Sequence, residues 1–272
     1  LGSICRRYAK SKTAMIGLII LIILALVALL CPLFISYSGD VIKQNMRARL
    51  QGPSLEHLFG TDQYGRDVLA RVVWGTRISL SSSLIIISIA TVFGALFGAL
   101  AAYYGGRVDN IIMRVMDIFY ALPFNLMAIC IVASLGNGML NLGMACVIGV
   151  IPGFTRVFRA AILPIRNQEY IEAAKACNTS DWRILTKHIL PNAMGPIIVQ
   201  ATLNLAITIL AIAGLSYIGL GVESPTPEWG TMLSDGREYM RNYPYLVIFP
   251  GLAIMIAAMS LNLIGDGLRD AL

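Results

Sequence analysis

The chain has 272 residues, of which 57% are hydrophobic and only 13% are charged, and its mean hydropathy is +0.73. A soluble domain has nearly twice this charged fraction, so the composition excludes a water-soluble enzyme, a disordered chain and a disulfide-framed secreted domain. A formal charge of +6 is typical of a multi-span membrane protein with basic loops on one side, and we expect no nucleic-acid partner.

Long uncharged runs locate the membrane spans, because a charge at the middle of a bilayer costs at least ~2.5 kcal/mol. Five such runs occur, but the third, Ile118–Thr155, is too long for a single crossing of about 20 residues. The Gly136-Asn137-Gly138 sequence inside it is typical of a turn. We therefore predict an all-α membrane protein with six transmembrane helices, at residues 14–35, 78–104, 111–134, 139–158, 193–219 and 245–266.

Two local features modify these spans. Pro123 and Pro152 are each expected to interrupt a span, since proline lacks the backbone N–H that a helix needs. Gly94 and Gly98 form a G-x-x-x-G pattern in the second span, which permits close approach of another helix. We expect that contact to lie within the chain rather than between subunits.

Basic residues set the orientation. Arg6, Arg7, Lys10 and Lys12 precede the first span and place the N-terminus in the cytoplasm by the positive-inside rule. Six spans return the C-terminus to the same side. With this orientation the cytoplasmic segments hold 13 of the 21 Lys and Arg residues, in agreement with the rule.

The sequence patterns that accompany catalysis are missing. The chain has no phosphate-binding G-x-x-x-x-G-K-[ST], no H-E-x-x-H and no G-x-S-x-G. His57 and His188 fall on opposite sides of the predicted membrane, and the five cysteines have no metal-ligand spacing. We therefore expect no catalytic residue, no metal site and no bound cofactor in this chain.

Polar residues within the spans are the candidates for a transport pathway. A proton-coupled carrier usually keeps an ionisable residue at mid-depth, whereas here the mid-span polar residues are neutral, so any driving energy is expected to come from elsewhere. The four candidates for lining a pathway are Asn125, Asn204, Thr208 and Asn262.

The cytoplasmic loop at residues 159–192 has the most informative local pattern. Glu169 and Glu172 are placed to favour the N-terminal turns of a helix over 168–177, and Asn178 is suited to the left-handed turn that ends it. Ser180, or the threonine before it, is expected to cap a second short helix that Pro191 terminates.

Apolar side chains in this loop favour docking of another protein. Tyr170, Ile171, Trp182, Ile184 and Leu185 are more apolar than an idle solvated hairpin needs, and exposed groups of this size usually mark a contact surface. A solvated loop with two stable helical turns remains the alternative.

The same loop resembles the EAA loop of ATP-binding-cassette importer permeases. The resemblance lies in Glu172-Ala173-Ala174, a turn residue at 178, and Ile189-Leu190-Pro191. In that family the loop fits into a cleft on a separate ATPase subunit. The family usually has glycine where this chain has Asn178, and since asparagine adopts positive φ more readily than other non-glycine residues, we expect the turn to survive.

Further motifs resemble the "C" permease of dipeptide, oligopeptide and nickel importers. They are Phe59-Gly60-Thr61-Asp62, Gly65-Arg66-Asp67, Pro225-Thr226-Pro227-Glu228-Trp229-Gly230 and Gly265-Asp266-Gly267-Leu268-Arg269-Asp270. The resemblance implies a type I importer permease fold in the bacterial inner membrane. Residues 1–77 are then an N-terminal transmembrane helix with the first extracytoplasmic loop, and residues 78–272 are the core permease domain with five transmembrane helices and the coupling loop.

The resemblance also implies function and partners. We expect a permease subunit that takes up di- and oligopeptides, with nickel or a nickel chelate as the alternative cargo and a stand-alone secondary carrier as the second alternative. The implied partners are a homologous "B" permease that completes a heterodimer, two ABC ATPase subunits that bind ATP and magnesium, an extracytoplasmic substrate-binding protein, and membrane lipid.

Two residue sets follow from the motifs. The residues expected to couple to the ATPase are Glu169, Glu172, Ala173, Ala174, Asn178, Asp181, Trp182, His188 and Pro191. The outer-loop residues that could contact the binding protein are Asp62, Arg66, Asp67, Pro227 and Trp229. For Arg66 and Asp67 we rank a helix cap and an ion pair ahead of partner contact, and for Trp229 a rigid lip at the membrane interface.

Overall fold

The computed structural model of the protein describes residues 6–272. Within this part the regular structure is helical, and the one β feature is an isolated bridge between Thr61 and Asp67. In chain order the α-helices are α1 (Lys12–Phe34), α2 (Val68–Tyr104), α3 (Gly106–Ala121), α4 (Phe124–Leu135), α5 (Met139–Arg166), α6 (Glu169–Ala176), α7 (Asp181–Tyr217), α8 (Trp229–Gly236) and α9 (Tyr245–Ala271).

Five of these helices, α1, α2, α5, α7 and α9, are long and apolar enough to cross a membrane. The α3–α4 pair passes the same test when taken together, which gives up to six spans. The predicted all-α membrane fold is therefore confirmed. The predicted turn at Gly136 and Gly138 is confirmed as well, since both have positive φ between α4 and α5.

The third predicted span is not one straight helix. α3 and α4 are bent by 85°, and Leu122, between them, has extended backbone angles, φ −85° and ψ 128°. Pro123 explains the break, because a proline disfavours helical angles in the residue before it. The expected interruption at Pro123 is thus confirmed. The one expected at Pro152 is wrong, because α5 continues through both Pro152 and Pro164.

Helix boundaries extend beyond the uncharged runs. α2 begins ten residues before the predicted start, and its first turns contain Arg71. The Arg71 Nη1 atom donates hydrogen bonds to the carbonyl oxygens of Val41 at 3.2 Å and Pro225 at 2.9 Å. Since protein carbonyls rather than lipid surround this charge, the helix tolerates it. α5 likewise continues to Arg166.

The centre of the molecule is built from α2, α5 and α7. α2 and α5 approach closely along the glycine pattern, where a Cβ atom on Gly98 would lie 2.5 Å from the Cβ of Phe158. The G-x-x-x-G pattern therefore serves packing within the chain, as predicted. α9 packs against α7, whereas α1 lies at the periphery against α9 and α2.

α2 connects two opposite ends of the protein. Its first turns contact the segment 36–67 and the segment 222–231, and we call this end the loop face. Its last turn contacts Asp181 and Arg166, and we call that end the α6 face. The candidate residues of the sequence analysis lie mainly at these two faces.

Candidate functional site

The loop between α5 and α7 begins with α6, which matches the helix predicted over 168–177 to within a residue at each end. Asn178 has φ +56°. The Thr179 amide donates to the Ala174 carbonyl at 3.1 Å and the Asn178 amide donates to the Lys175 carbonyl at 2.9 Å. These two bonds form a Schellman motif. The prediction that the turn survives with asparagine is confirmed.

The second predicted helix does not end at Pro191. Instead, α7 runs from Asp181 through a π-helical segment, Ile184–Ile189, and continues into the membrane span. In this segment the Leu190 amide donates to the Leu185 carbonyl. The wider turn accommodates Pro191, which lacks an N–H and would clash with a carbonyl in regular α geometry. Ser180 occupies the N-cap position without a side-chain hydrogen bond.

One side of the loop is part of the hydrophobic core of the protein. Ile171 on α6 and Ile184, Leu185 and Ile189 on α7 are buried in a single cluster with side chains of α2 and α5, including Phe158. Burial of such a side chain contributes roughly 1.5–3 kcal/mol. The loop is therefore packed firmly onto the ends of two central helices.

The other side of the loop is uncovered. Trp182 is 73% exposed and Tyr170 is 41% exposed. Eight of the exposed residues make up what we call the coupling surface: Glu169, Tyr170, Glu172, Ala173, Ala176, Cys177, Asn178 and Trp182. The small residues among them permit close approach of another backbone, and the two aromatic rings offer apolar contact area to a partner.

Asp181 ties the loop to α2. The Tyr103 hydroxyl donates to Asp181 Oδ1 at 2.5 Å, and the Tyr104 hydroxyl lies 3.4 Å from Oδ2. The Lys175 ammonium lies 5.2 Å from the centre of the Tyr103 ring. Asp181 is among the coupling residues predicted from the sequence, whereas Tyr103 is not, because it lies 78 residues away along the chain.

The remaining expected coupling residues have mixed environments. Ala174 and His188 are half-buried, and Pro191 is exposed. Asn192 donates from its side-chain amide to the His188 carbonyl at 2.7 Å. His188 therefore lies on the first turns of α7 beside the coupling surface rather than at its centre.

At the loop face, Asp62 and Arg66 form a buried ion pair. Arg66 Nε lies 2.6 Å from Asp62 Oδ2, and the Arg66 side chain is only 1% exposed. Arg66 Nη1 also donates to the Ser224 hydroxyl at 3.2 Å. Burial raises the pKa of the neighbouring Asp235 carboxyl, and the Arg71 and Arg66 guanidinium groups partly oppose that rise.

Asp67 forms the helix cap that the sequence analysis ranked first. Its Oδ1 accepts from the Ala70 amide at 2.8 Å, at the start of α2, and its Oδ2 lies 2.8 Å from His57 Nδ1. Together with the buried pair of Asp62 and Arg66, this favours a structural role for these charges over contact with a partner.

Trp229 does not form an exposed lip. It is fully buried, and its indole Nε1 donates to the Val72 carbonyl at 3.0 Å. Glu228 caps α8 by accepting from the Gly230 and Thr231 amides, both at 2.9 Å. Pro227 is buried as well. The motif therefore fastens α8 to α2, and its side chains are not presented to a partner in this structure.

The four polar pathway candidates lie in different surroundings. Asn125 and Asn262 are exposed, and Asn262 lines an apolar groove of about 510 Å³ between α7 and α9. Asn204 is half-buried and donates to the Gln200 carbonyl of its own helix at 2.8 Å, and Thr208 is buried. Across residues 6–272, no group of three His, Cys, Asp or Glu side chains is placed to hold a metal ion.

Comparison with protein families agrees with this architecture. Residues 94–272 match the family described as binding-protein-dependent transport system inner membrane component. Residues 1–53 match the N-terminal transmembrane domain of oligopeptide transport permease C. The two matches together cover both ends of the chain.

Individual relatives are similar over nearly the whole chain. A dipeptide transport system permease protein DppC from Alkalihalophilus pseudofirmus is 45% identical, covering 98% of this chain and 87% of that protein. A glutathione transport system permease protein GsiD from Pectobacterium atrosepticum is 38% identical, covering 98% and 88%. A DppC protein from Haemophilus influenzae is 39% identical, covering 97% and 91%.

The fold has a counterpart among solved structures. An inward-facing MetNI methionine ABC transporter structure aligns with a TM-score of 0.61 at 18% identity, covering 74% of this chain and 96% of that one. Permeases of this family do not hydrolyse ATP, since that activity sits on separate subunits. The chain belongs to the family of binding-protein-dependent, ABC-importer permeases of the bacterial inner membrane, and within it to the dipeptide and oligopeptide "C" type.

Proposed function

We propose that this chain is the permease subunit through which an ATP-driven importer takes up di- and oligopeptides. The relatives named for dipeptide and glutathione transport support a peptide as cargo. A nickel chelate, the other cargo weighed from the sequence, has no comparable support among these relatives. The chain itself carries out no covalent chemistry.

The coupling surface is the observation that carries the proposal. It combines an exposed Trp182 and a stripe of small residues with a buried underside that belongs to the core of α2, α5 and α7. A force applied to the exposed side is therefore transmitted to the central helices without bending a flexible linker. An idle loop would need neither the exposed aromatic ring nor the rigid attachment.

The implied assembly places the remaining activities on other chains. It contains a second, homologous permease, two ATPase subunits that bind ATP and magnesium, and a substrate-binding protein on the outer side. Basic residues at and just before the start of α1, including Lys10 and Lys12, favour a cytoplasmic N-terminus. The α6 face then meets the ATPases, and the loop face meets the binding protein.

Transport in this scheme proceeds by alternating access. ATP binding closes the two ATPase subunits, which draws the coupling surface along with them. Because Ile171 and Leu185 pack with α2 and α5, the movement separates or closes the helices that flank the pathway. Asn125, Asn204, Thr208 and Asn262 are the polar groups proposed to contact the peptide backbone during passage.

The composition of the native complex provides the first test. The chain is purified from its native membrane in mild detergent, and the co-purifying proteins are identified by mass spectrometry. We expect a second permease and ATPases with a phosphate-binding loop. A co-purified binding protein is then titrated with dipeptides and with nickel. Recovery of the chain alone would favour a stand-alone secondary carrier.

A substitution in the coupling surface provides the second test. Ala173 is exposed on α6, so Ala173→Trp adds bulk where the ATPase is expected to approach, without disturbing the core. We expect ATP-dependent peptide uptake to fall by at least about tenfold, corresponding to ~1.4 kcal/mol or more, while the amount of chain in the membrane is unchanged.

The matched control is Ala9→Trp, which adds the same bulk at another exposed alanine. It is expected to leave uptake unchanged. Full uptake by a stably expressed Ala173→Trp complex would remove the coupling surface from the mechanism.

A further inference from the structure

A charged cleft at the loop face is not used by the transport scheme. It has a volume of about 550 Å³ and lies between the end of α1, the segment 39–57 and the first turn of α2. Phe34 and Leu69 contribute its apolar wall. The ionisable groups that line it are Asp40, Lys43, Glu56, His57 and Asp67.

The charges of the cleft favour a zwitterionic ligand whose cationic group lies among the carboxylates. Asp40 accepts only a backbone bond, from the Ser36 amide at 2.8 Å, and Asp67 is bound to His57 and the start of α2. Lys43 and Glu56 form no ion pair within 4 Å among residues 6–272. Two carboxylates without an ion-pair partner among residues 6–272, Asp40 and Glu56, thus line the cleft together with Lys43, and both signs of charge are offered to a ligand.

The cleft opens beside the C-terminal end of α1, a helix long and apolar enough to span a membrane. Leu33 and Phe34 at the end of α1 are 75% and 81% exposed. Immediately beyond them, Tyr37 and Trp74 have ring centres 5.0 Å apart, and Trp74 Nε1 donates to the Ile35 carbonyl at 3.1 Å. Trp and Tyr side chains are enriched at membrane–water interfaces. For this reason we expect the cleft to lie at the depth of lipid headgroups.

We propose that this cleft binds the headgroup of phosphatidylethanolamine. The primary ammonium has three N–H donors, which Asp40 and Glu56 accept, and the adjacent phosphate pairs with Lys43. The acyl chains lie along the exposed side chains of Leu33 and Phe34. This site is additional to the transport function and does not depend on it.

The charge pattern distinguishes this lipid from its common neighbours. Phosphatidylglycerol lacks the ammonium and meets a surplus of carboxylates. Phosphatidylcholine has a cationic end of the same charge, but its three methyl groups replace the N–H donors and prevent charge-assisted hydrogen bonds. We therefore expect phosphatidylethanolamine to bind about tenfold more tightly than either, in line with the strength of hydrogen bonds to charged groups.

Lipid exchange on the purified complex tests the proposal. The full chain, with the partners that co-purify, is delipidated in detergent and titrated with each of the three lipids, and bound lipid is counted by native mass spectrometry. The double variant Asp40→Asn, Glu56→Gln is expected to lose the preference for phosphatidylethanolamine. Glu238→Gln, an exposed carboxylate elsewhere on the loop face, is expected to keep it.

Any of four results would overturn the proposal. The first is equal binding of phosphatidylcholine, and the second is an unchanged preference in the double variant. The third is binding of free phosphoethanolamine as tight as that of the lipid, which would identify a soluble ligand instead of a membrane component. The fourth is displacement of the lipid by dialanine, which would make the cleft a peptide site.

Discussion

Asn178 bears the strictest backbone demand in the coupling surface. Its φ of +56° is open to glycine and tolerated by asparagine, but a β-branched side chain in this region is strongly disfavoured, at roughly 1–2 kcal/mol. The Schellman bonds of the Thr179 and Asn178 amides depend on this angle. The turn in turn sets the direction in which α6 meets α7.

We predict that Asn178→Val lowers ATP-dependent peptide uptake, whereas Asn178→Gly keeps it near the original rate. The control is Cys177→Val, which places the same side chain one residue earlier, at an exposed position with φ −79°. Uptake is measured in proteoliposomes containing the complete importer. Equal uptake by Asn178→Val and Asn178→Gly would mean that the turn geometry does not matter for coupling.

Single residues were predictable where the signal is local. Asn178 was assigned to a left-handed turn because the preference belongs to its own backbone. We predict an ion pair for Arg66 and a rigid lip at the membrane interface for Trp229, but not that both side chains are buried. Arg66 donates to Ser224 and Trp229 to Val72, partners 158 and 157 residues away. A sequence does not show which distant segments will cover a residue, so this burial could not be derived from it.

At the scale of helices, the α2–α5 contact leaves no room for a side chain at Gly98. A Cβ on Gly98 would lie 2.5 Å from the Phe158 Cβ and 2.7 Å from the Thr155 carbonyl oxygen. Both are fixed parts of α5 rather than flexible side-chain ends, so the two helices would have to move apart. Overpacking of this kind typically costs ~1–3 kcal/mol.

We predict that Gly98→Ala lowers the midpoint of thermal unfolding of the detergent-solubilised chain, despite the higher helix propensity of alanine. Gly214→Ala is the matched control, because Gly214 is also within a long helix and a Cβ there meets no atom within 4 Å. The control is expected to unfold at the original temperature or slightly above it. Similar midpoints for the two variants would show that the α2–α5 contact is looser than its geometry indicates.

The helices themselves were predicted well, and their interruptions only in part. Apolar run length identified every long helix, because the bilayer imposes that length on any span. Among the prolines, Pro123 breaks a helix and Pro152 does not, although each removes one backbone donor. The difference lies in the neighbours: around Pro152, α5 is packed tightly against α2, and tertiary contacts override local preference. The π-helical segment that accommodates Pro191 was likewise not predicted from the sequence, because tertiary contacts rather than local preference decide where it forms.

Across the whole molecule, α2 is the element that connects the two faces. Its 37 residues span about 55 Å at 1.5 Å per residue. At the loop face, Trp229 donates a hydrogen bond to the Val72 carbonyl of α2, and Arg71 of α2 donates one to the Pro225 carbonyl. At the α6 face, Tyr103 of α2 donates a hydrogen bond to Asp181. One continuous helix therefore connects the α6 face to the loop face.

We propose that the link between Tyr103 and Asp181 transmits movement of the coupling surface to α2, and we expect its removal to uncouple transport without unfolding the chain. We predict that Tyr103→Phe, which keeps the buried ring and deletes only the hydroxyl, lowers the amount of peptide imported per ATP hydrolysed by about tenfold. A hydrogen bond to a charged group is worth ~1.5–3 kcal/mol. Uptake and ATP hydrolysis are measured together in proteoliposomes.

Tyr104→Phe is the matched control, because that hydroxyl is exposed and lies 3.4 Å from the same carboxylate. It should leave the ratio of uptake to hydrolysis unchanged. If Tyr103→Phe lowers the unfolding temperature but keeps this ratio, the contact only stabilises the loop, and the force from the ATPases must reach the membrane helices through Ile171 and Ile184 in the apolar core instead. If the ratio falls while stability is kept, the polar contact at the end of α2 is the route by which ATP binding moves the helix.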